Sequence, residues 1–299
     1  MRVRYIVQIN ARLGRKPIIK HPIEGKKYGN VSRKPDESLR TLTRDDRRSI
    51  GHLDRFRQST DIPPQPDFTA YSMSVREEFD AWAAEGREKG MEERHWHTAR
   101  HVLARMPVES DDTVLDLGTG SGYALRALRE AGDIRRAYGL DGAPEMLRNA
   151  RGYTSDSKIG YVRGDFGSLP FADESIDHVF SMEAFYYASD PLRTLREIRR
   201  VLRPGGTFYC AVNYYEENVY SHEWQDNISI EMTRWDRQEY REAFRKAGLL
   251  VAEQDNILDR EIEIPPENAF PTEEFDTREA MVECYRELGT LLTVGIAPE

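Results

Sequence analysis

The sequence predicts an α/β fold, a mostly parallel sheet covered by helices on both faces, and three observations carry that expectation. From residue 113 onward, short apolar runs rich in Val, Ile and Leu alternate with helical stretches. The first run ends in an acidic residue and then in glycines at 118, 120 and 122, with a helical stretch directly behind them. Later runs end in the same manner, with Asp141 and Asp165 at their tips.

Taken in chain order, residues 1–60 alternate basic clusters such as Arg15-Lys16 and Arg47-Arg48 with scattered Pro and Gly, without a sustained period of 2 or 3.6. Residues 1–72 are therefore expected to be a basic, disordered extension, a basic arm for an anionic partner, or sequence upstream of a natural start at Met73. Residues 73–299 are expected to form the folded domain. Val75–Trp82 and Met91–Met106 read as amphipathic helices that cap it.

The alternation that follows is Thr113–Gly118 (strand), Ser121–Ala131 (helix), Ala137–Asp141 (strand), Pro144–Arg151 (helix), Ile159–Gly164 and Ile176–Met182 (strands), Pro191–Leu202 (helix) and Thr207–Val212 (strand). Arg237–Ala247 then reads as a helix. Leu249–Gln254 and Gly289–Val294 read as strands that could pair as an antiparallel edge. Between strand and helix lies 213–235, rich in Tyr, Asn, Glu, His and Trp and too long for an ordinary connection, hence a candidate acceptor-binding segment or lid.

Charge is divided unevenly. Residues 1–60 hold 16 Lys/Arg against 6 Asp/Glu, leaving 27 against 46 for the rest. Beyond residue 60 the only lysines are Lys89, Lys158 and Lys246, so the body is acidic and arginine-based. Such a surface suits a high-salt cytoplasm and disfavours broad nucleic-acid contact, whose affinity comes largely from neutralising phosphates. Two widely spaced cysteines, Cys210 and Cys284, make neither a disulfide framework nor a zinc site and point to a reducing compartment, the cytoplasm by default. No run of about 18 apolar residues is present to span a bilayer.

The chemistry concentrates at the strand tips. Val114-Leu-Asp-Leu-Gly-Thr-Gly-Ser-Gly122 is a buried strand, an acidic residue and a glycine turn, followed by a helix whose first N–H groups can face an anion such as a carboxylate. Dinucleotide enzymes carry a similar turn, with a third glycine three residues after the second. Here Gly122 comes two residues after Gly120 and the later slot holds Tyr123, which favours a nucleoside without a pyrophosphate. Asp141 can accept hydrogen bonds from two ribose hydroxyls. Asp165 could accept from an adenine amino group while the Phe166 amide meets a ring nitrogen. Arg203-Pro-Gly-Gly206 reads as a structural turn.

Leu115-Asp-Leu-Gly-Thr-Gly-Ser-Gly122, Gly139-Leu-Asp141, Gly164-Asp165-Phe166, Leu169-Pro-Phe171 and Val201-Leu-Arg-Pro-Gly-Gly206 together resemble the motifs of class I S-adenosylmethionine-dependent methyltransferases, in the branch similar to quinone and sterol methyltransferases. The resemblance covers about residues 90–212. It implies a Rossmann-like, doubly wound seven-stranded sheet, mostly parallel with an antiparallel edge strand. It also implies S-adenosyl-L-methionine as cofactor, held by Asp116, Gly118, Thr119, Gly120, Gly122, Asp141, Met146, Gly164, Asp165, Phe166 and Met182. The Asn/Asp-Pro-Pro-Tyr/Phe motif of enzymes acting on exocyclic amines or glutamine is absent, since Ser181-Met-Glu-Ala-Phe-Tyr-Tyr187 stands in its place.

The donor's methyl is already activated, so the protein chiefly aligns an acceptor and excludes water, and a general base is optional. Candidates for that base or for the acceptor pocket are Glu183, Tyr186, Tyr187, Tyr214, Tyr215 and His222, with Glu183, Tyr187 and His222 foremost. His95, His97 and His101 form a group whose last two members are one helical turn apart. No matching acidic or cysteine ligand is obvious beside them, so no metal is expected, and Trp96 is expected to help cover the pocket. The expected acceptor is a small molecule. The alternatives are an RNA or protein acceptor delivered by the basic arm, or a protein that binds the cofactor without transfer.

Overall fold

The computed structural model describes residues 70–299 apart from 229 and 273, and side chains from residue 75 onward except that of 227. Most of the basic 1–72 extension therefore lies outside the described residues. The elements in order are α1 (Ala70–Ala84), α2 (Glu88–Leu103), β1 (Thr113–Leu117), α3 (Tyr123–Ala131), β2 (Arg136–Asp141), α4 (Pro144–Tyr153), β3 (Ile159–Arg163), β4 (Ile176–Met182), α5 (Pro191–Val201), β5 (Leu202–Val212), α6 (Arg237–Lys246), β6 (Leu250–Ile257), α7 (Arg278–Val282) and β7 (Thr290–Ile296). They build one seven-stranded sheet in the order β3-β2-β1-β4-β5-β7-β6. Strands β1 to β5 run parallel, and β7 is antiparallel to both β5 and β6. The expected Rossmann-like architecture is the one found, with β6 on the outside of the antiparallel pair.

All five residues of β1 are buried, as a central strand covered on both faces requires. Its alternation divides the core: Leu115 and Leu117 belong to one apolar cluster, with Phe208, Ile198 and Phe244, while Val114 belongs to the other, with Leu125, Leu128 and Val102. Helix ends follow local chemistry. Asp190 caps α5 by accepting from the Arg193 N–H, with Pro191 in its first turn, and Asp236 with Glu239 forms a reciprocal capping box on α6.

The observed boundaries differ from the sequence reading in instructive places. The first cap helix runs Ala70–Ala84, and the second starts three residues early, at Glu88. The Arg203-Pro-Gly-Gly206 turn is absorbed into the start of β5, where Leu202 pairs with Ile176 and Thr207 already pairs with His178. The four residues between break the ladder's register as a bulge, with Gly205 at φ 78°. The β6–β7 connection, read only as a gap in the pattern, contains α7 and a π-helical turn over Glu283–Leu288. Among the described residues no helix is long and apolar enough to cross a membrane.

Candidate cofactor and acceptor site

The C-terminal tips of β1, β2, β3 and β4 converge on one cavity, roofed by α1 and α2. Gly118, Gly120 and Ser121 from the turn after β1, Asp141 and Gly142 after β2, Gly164 to Phe166 after β3, and Met182 to Ala184 after β4 all line it. Met146 from α4 and Tyr187 from the short 3-10 turn Phe185–Tyr187 complete the wall. Four segments far apart in the chain thus meet where a parallel sheet leaves its ligand crevice.

The glycines of the turn serve different ends. Gly118 sits at φ 77°, and a Cβ there would lie 2.3 Å from the Ala184 Cβ and 3.3 Å from Phe166, so close packing of the turn onto the β4 tip requires its absence. Gly120, at φ 50°, has nothing within 4 Å of a virtual Cβ: that side chain would enter the cavity. Room kept open beside bare backbone, ahead of a helix with no side-chain cap on its N-terminus, is what a ligand carboxylate needs.

Asp141 is tied into this turn. One carboxylate oxygen accepts from the Gly120 N–H at 2.9 Å and the other from the Ala143 N–H at 3.0 Å. Burial pushes its pKa up, against the pull of those amides. Asp165 accepts from the Gly167 N–H at 2.8 Å and faces the Arg76 guanidinium at 3.6 Å. Arg76 is 6% exposed, and its stem covers Gly142. Sequence reasoning missed this residue, since nothing within its own helix marks it.

Other expected residues stand outside the cavity wall. Asp116 is buried beneath the turn, accepts from the Thr119 hydroxyl at 2.7 Å, and is raised to about pKa 7, by burial first and by Asp141 in addition. Asp116, Thr119 and Gly122 thus shape the turn from below; a Cβ on Gly122 would strike the Tyr161 hydroxyl at 2.1 Å. His222 donates through Nε2 to the Glu216 carbonyl at 2.9 Å and does not line the cavity. No described residue of 213–235 does; Tyr214 is 2% exposed and packs on Tyr186 at 5.6 Å, supporting the wall from behind. Tyr215 is wholly buried, donating to the Gly289 carbonyl.

Of the adjacent tyrosines only Tyr187 faces the cavity, while Tyr186 turns inward and donates its hydroxyl to Glu183 at 3.0 Å. Glu183 is 7% exposed at φ 51°, and its Oε1 has no hydrogen-bond partner among the described residues. Burial raises its pKa to about 8, outweighing the hydrogen bonds from Tyr186 and the Asn213 backbone.

The roof differs from expectation as well. His95 lines the cavity, its pKa lowered to about 4 by burial and by Arg94, whereas Trp96 packs edge-on against Tyr123 outside it. Val75, Phe79 and Met91 supply an apolar underside. His97 and His101 lie with Glu261, an acidic neighbour some 160 residues away that local spacing could not reveal. Arg100 already pairs with that carboxylate and with His97, so a cation holds the place where a metal would need to sit.

A methyltransferase-domain family model matches residues 115–210. A chain of the complex between the Haloferax volcanii Trm112 methyltransferase activator and a candidate methyltransferase is 69% identical, covering 74% of this chain and 98% of that one, with a TM-score of 0.73. The malonyl-[acyl-carrier protein] O-methyltransferase of Marinomonas sp. is 40% identical over 106 residues, 35% of this chain and 39% of that protein. The sterol 24-C-methyltransferase erg6 of Schizosaccharomyces pombe is 29% identical over 183 residues, 56% of this chain and 47% of that protein. The chain thus spans half or less of the length of these two curated relatives. An S-adenosylmethionine-dependent methyltransferase from Mesorhizobium loti, 21% identical over 68% of this chain and 97% of that one, shares the fold at a TM-score of 0.53. With the glycine turn, the acidic strand tips and these matches in agreement, the chain belongs to the class I S-adenosylmethionine-dependent methyltransferases.

Proposed function

We propose that this chain methylates a small, largely apolar acceptor held between the β4 tip and the underside of the roof. The observation that carries the reading is the single cavity into which Gly120, Asp141, Asp165 and Glu183 open on one side and Val75, Phe79 and Met91 on the other. The residues present fit the cofactor the family uses: open space beside the Gly120 backbone, a carboxylate at each of two strand tips, and an uncapped helix N-terminus. Gly118 to Ser121 with the start of α3 would hold the methionyl end, Asp141 the ribose, and Asp165 with Phe166 the adenine. When bound, S-adenosylmethionine supplies a methyl group on a positively charged sulfur.

What the protein adds is alignment and dryness. Phe79 meets Tyr187 edge to face at 5.1 Å, closing the roof over the β4 tip. Met182 and Ala184 narrow the floor beside Gly118. Calorimetric titration with S-adenosylmethionine, followed by transfer of its tritiated methyl to a metabolite extract, tests the reading. Binding in the micromolar range and label in small organic-soluble products are expected. No heat at millimolar donor would overturn it.

A second reading concerns partners. Because the 69% identical Haloferax volcanii chain comes from a complex with the Trm112 activator, this chain is proposed to work with an activator subunit of that kind. Co-expression should then yield a stable complex with higher turnover than the chain alone; separate elution would remove the idea.

A further inference from the structure

We infer that Glu183 is the counter-charge of the donor's sulfonium: protonated before the donor enters, ionised while the sulfonium is bound, and protonated again once only the neutral thioether remains. The inference rests on the proposed donor site and deepens it.

Placement carries the argument. In a regular strand Met182 and Glu183 would face opposite sides, yet both line the cavity. The left-handed φ of 51° at Glu183 breaks that alternation, a conformation that a non-glycine residue adopts only when its surroundings hold it there. The next residue, Ala184, packs against Gly118 alongside Phe166. Glu183 therefore sits where the part of the cavity proposed for the methionyl end meets the part proposed for adenine, and the sulfur joins those two ends.

The carboxyl group is held ready on one side only. Its Oε2 accepts from Tyr186, while Oε1 is buried, makes no hydrogen bond among the described residues, and belongs to a side chain that lines the cavity. A buried carboxyl group with an unused oxygen is stable when neutral and demands a partner when charged.

Among the described residues the groups packed around it supply no such partner. Tyr123 on α3, Tyr186 on the 3-10 turn, Cys210 on β5 and Tyr240 on α6 are all held in their neutral forms, chiefly by burial, and His95 on α2 is neutral at pH 7. Glu92 on α2 is matched by Arg126, and Asp116 and Asp141 are acidic. Arg76, the cation lining the cavity, pairs with Asp165. Among the described residues none brings a positive charge to Glu183, and the inference assigns that charge to a ligand.

The balance is simple. Entry of the sulfonium expels one proton from the Glu183 carboxyl group to solvent, leaving a carboxylate beside a cation. Glu183 can then receive the proton that an O–H or N–H acceptor sheds as its lone pair bonds the methyl carbon and the sulfur–methyl electron pair stays on sulfur. The acceptor class so favoured is a neutral hydroxyl or amine.

The test is calorimetry of the full chain at pH 7 in buffers of different ionisation enthalpy, with S-adenosylmethionine and S-adenosylhomocysteine as probes. Both carry the same amino and carboxylate groups, so the difference in released protons reports the sulfonium. Wild type should release about 0.5 to 1 proton more with the sulfonium ligand, and Glu183→Gln should abolish the difference. Wild-type preference for S-adenosylmethionine over the thioether should also rise at least about tenfold from pH 6 to pH 8, a readout that needs no variant. Equal proton release by the two ligands, or a flat preference, overturns the inference while leaving the donor site standing. Failure of wild type to bind either ligand overturns the donor site and this inference together.

Discussion

The two ends of the same parallel strands hold buried polar groups of opposite character. At the N-terminal end, His178 on β4 bonds through both ring nitrogens, Nδ1 to the Thr207 hydroxyl at 2.6 Å and Nε2 to Asp112 at 3.1 Å. Asp177 beside it accepts from the Thr113 N–H at 2.8 Å and from Arg203 at 2.6 Å through each oxygen. Burial pushes Asp112 up, but its bonds from His178 and the Glu109 amide prevail and hold it below the usual carboxylate range. At the C-terminal end, Asp116 and Glu183 are raised to about 7 and about 8, and Glu183 Oε1 has no partner among the described residues. The groups at the N-terminal end complete one another and tie the fold together, whereas the Glu183 carboxyl group at the crevice keeps one oxygen open among the described residues.

The sharpest attempt to break that contrast is Gly118→Val. With φ at 77° and a Cβ 2.3 Å from Ala184, it should abolish donor binding, by more than about 100-fold in calorimetric Kd, and destabilise the fold by about 2 kcal/mol or more. Gly120→Ala adds its methyl to open space. It should weaken donor affinity about tenfold while lowering the unfolding free energy from urea titration by no more than about 1–2 kcal/mol of left-handed strain.

At the opposite end His178→Ala should do the reverse. It leaves Asp112 and Thr207 short of a partner and is expected to lower stability by about 1–3 kcal/mol with donor Kd unchanged within twofold. A tenfold change in Kd would show that the two ends are not independent.

The smallest effect depends on pH. The carboxyl group of Glu183 keeps in the fold a proton that the unfolded chain loses near pH 4.5, so stability is greatest below that pH and falls as pH rises toward about 8. Glu183→Gln removes the penalty. Urea unfolding should find the variant more stable than wild type by about 1–2 kcal/mol at pH 8, and equal to it at pH 4.5.

The strand tips were legible in the sequence because their demands are local. A backbone that must turn at positive φ selects glycine at 118, 120 and 122, and a strand ending at the crevice displays Asp141 or Asp165 where an apolar run stops. The roof was legible only as two helices. Arg76 and Phe79 owe their roles to Asp165 and Tyr187, 89 and 108 residues away, and nothing in their own neighbourhood marks them. The segment 213–235 shows the limit of composition: its aromatic residues suggested a lid, but Tyr214 and Tyr215 are core residues that back the wall. Glu183 was visible as an acid ending an apolar run, whereas its backbone conformation, which sets its role, was not.

The two roof helices are also fastened differently. Helix α2 joins a broad apolar cluster of the sheet through Ala99, Val102 and Leu103, while α1 is fixed to α4 and the β3 tip by Asp80 on the Glu145 amide at 2.8 Å and Arg76 on Asp165, beside a much smaller apolar contact. Dissolved ions weaken charge pairing between partly exposed groups and, when strongly hydrated, reinforce apolar burial. Strongly hydrated salts should therefore firm the apolar layer, α2 included, more than they loosen α1, whose Arg76 is 6% exposed and little screened.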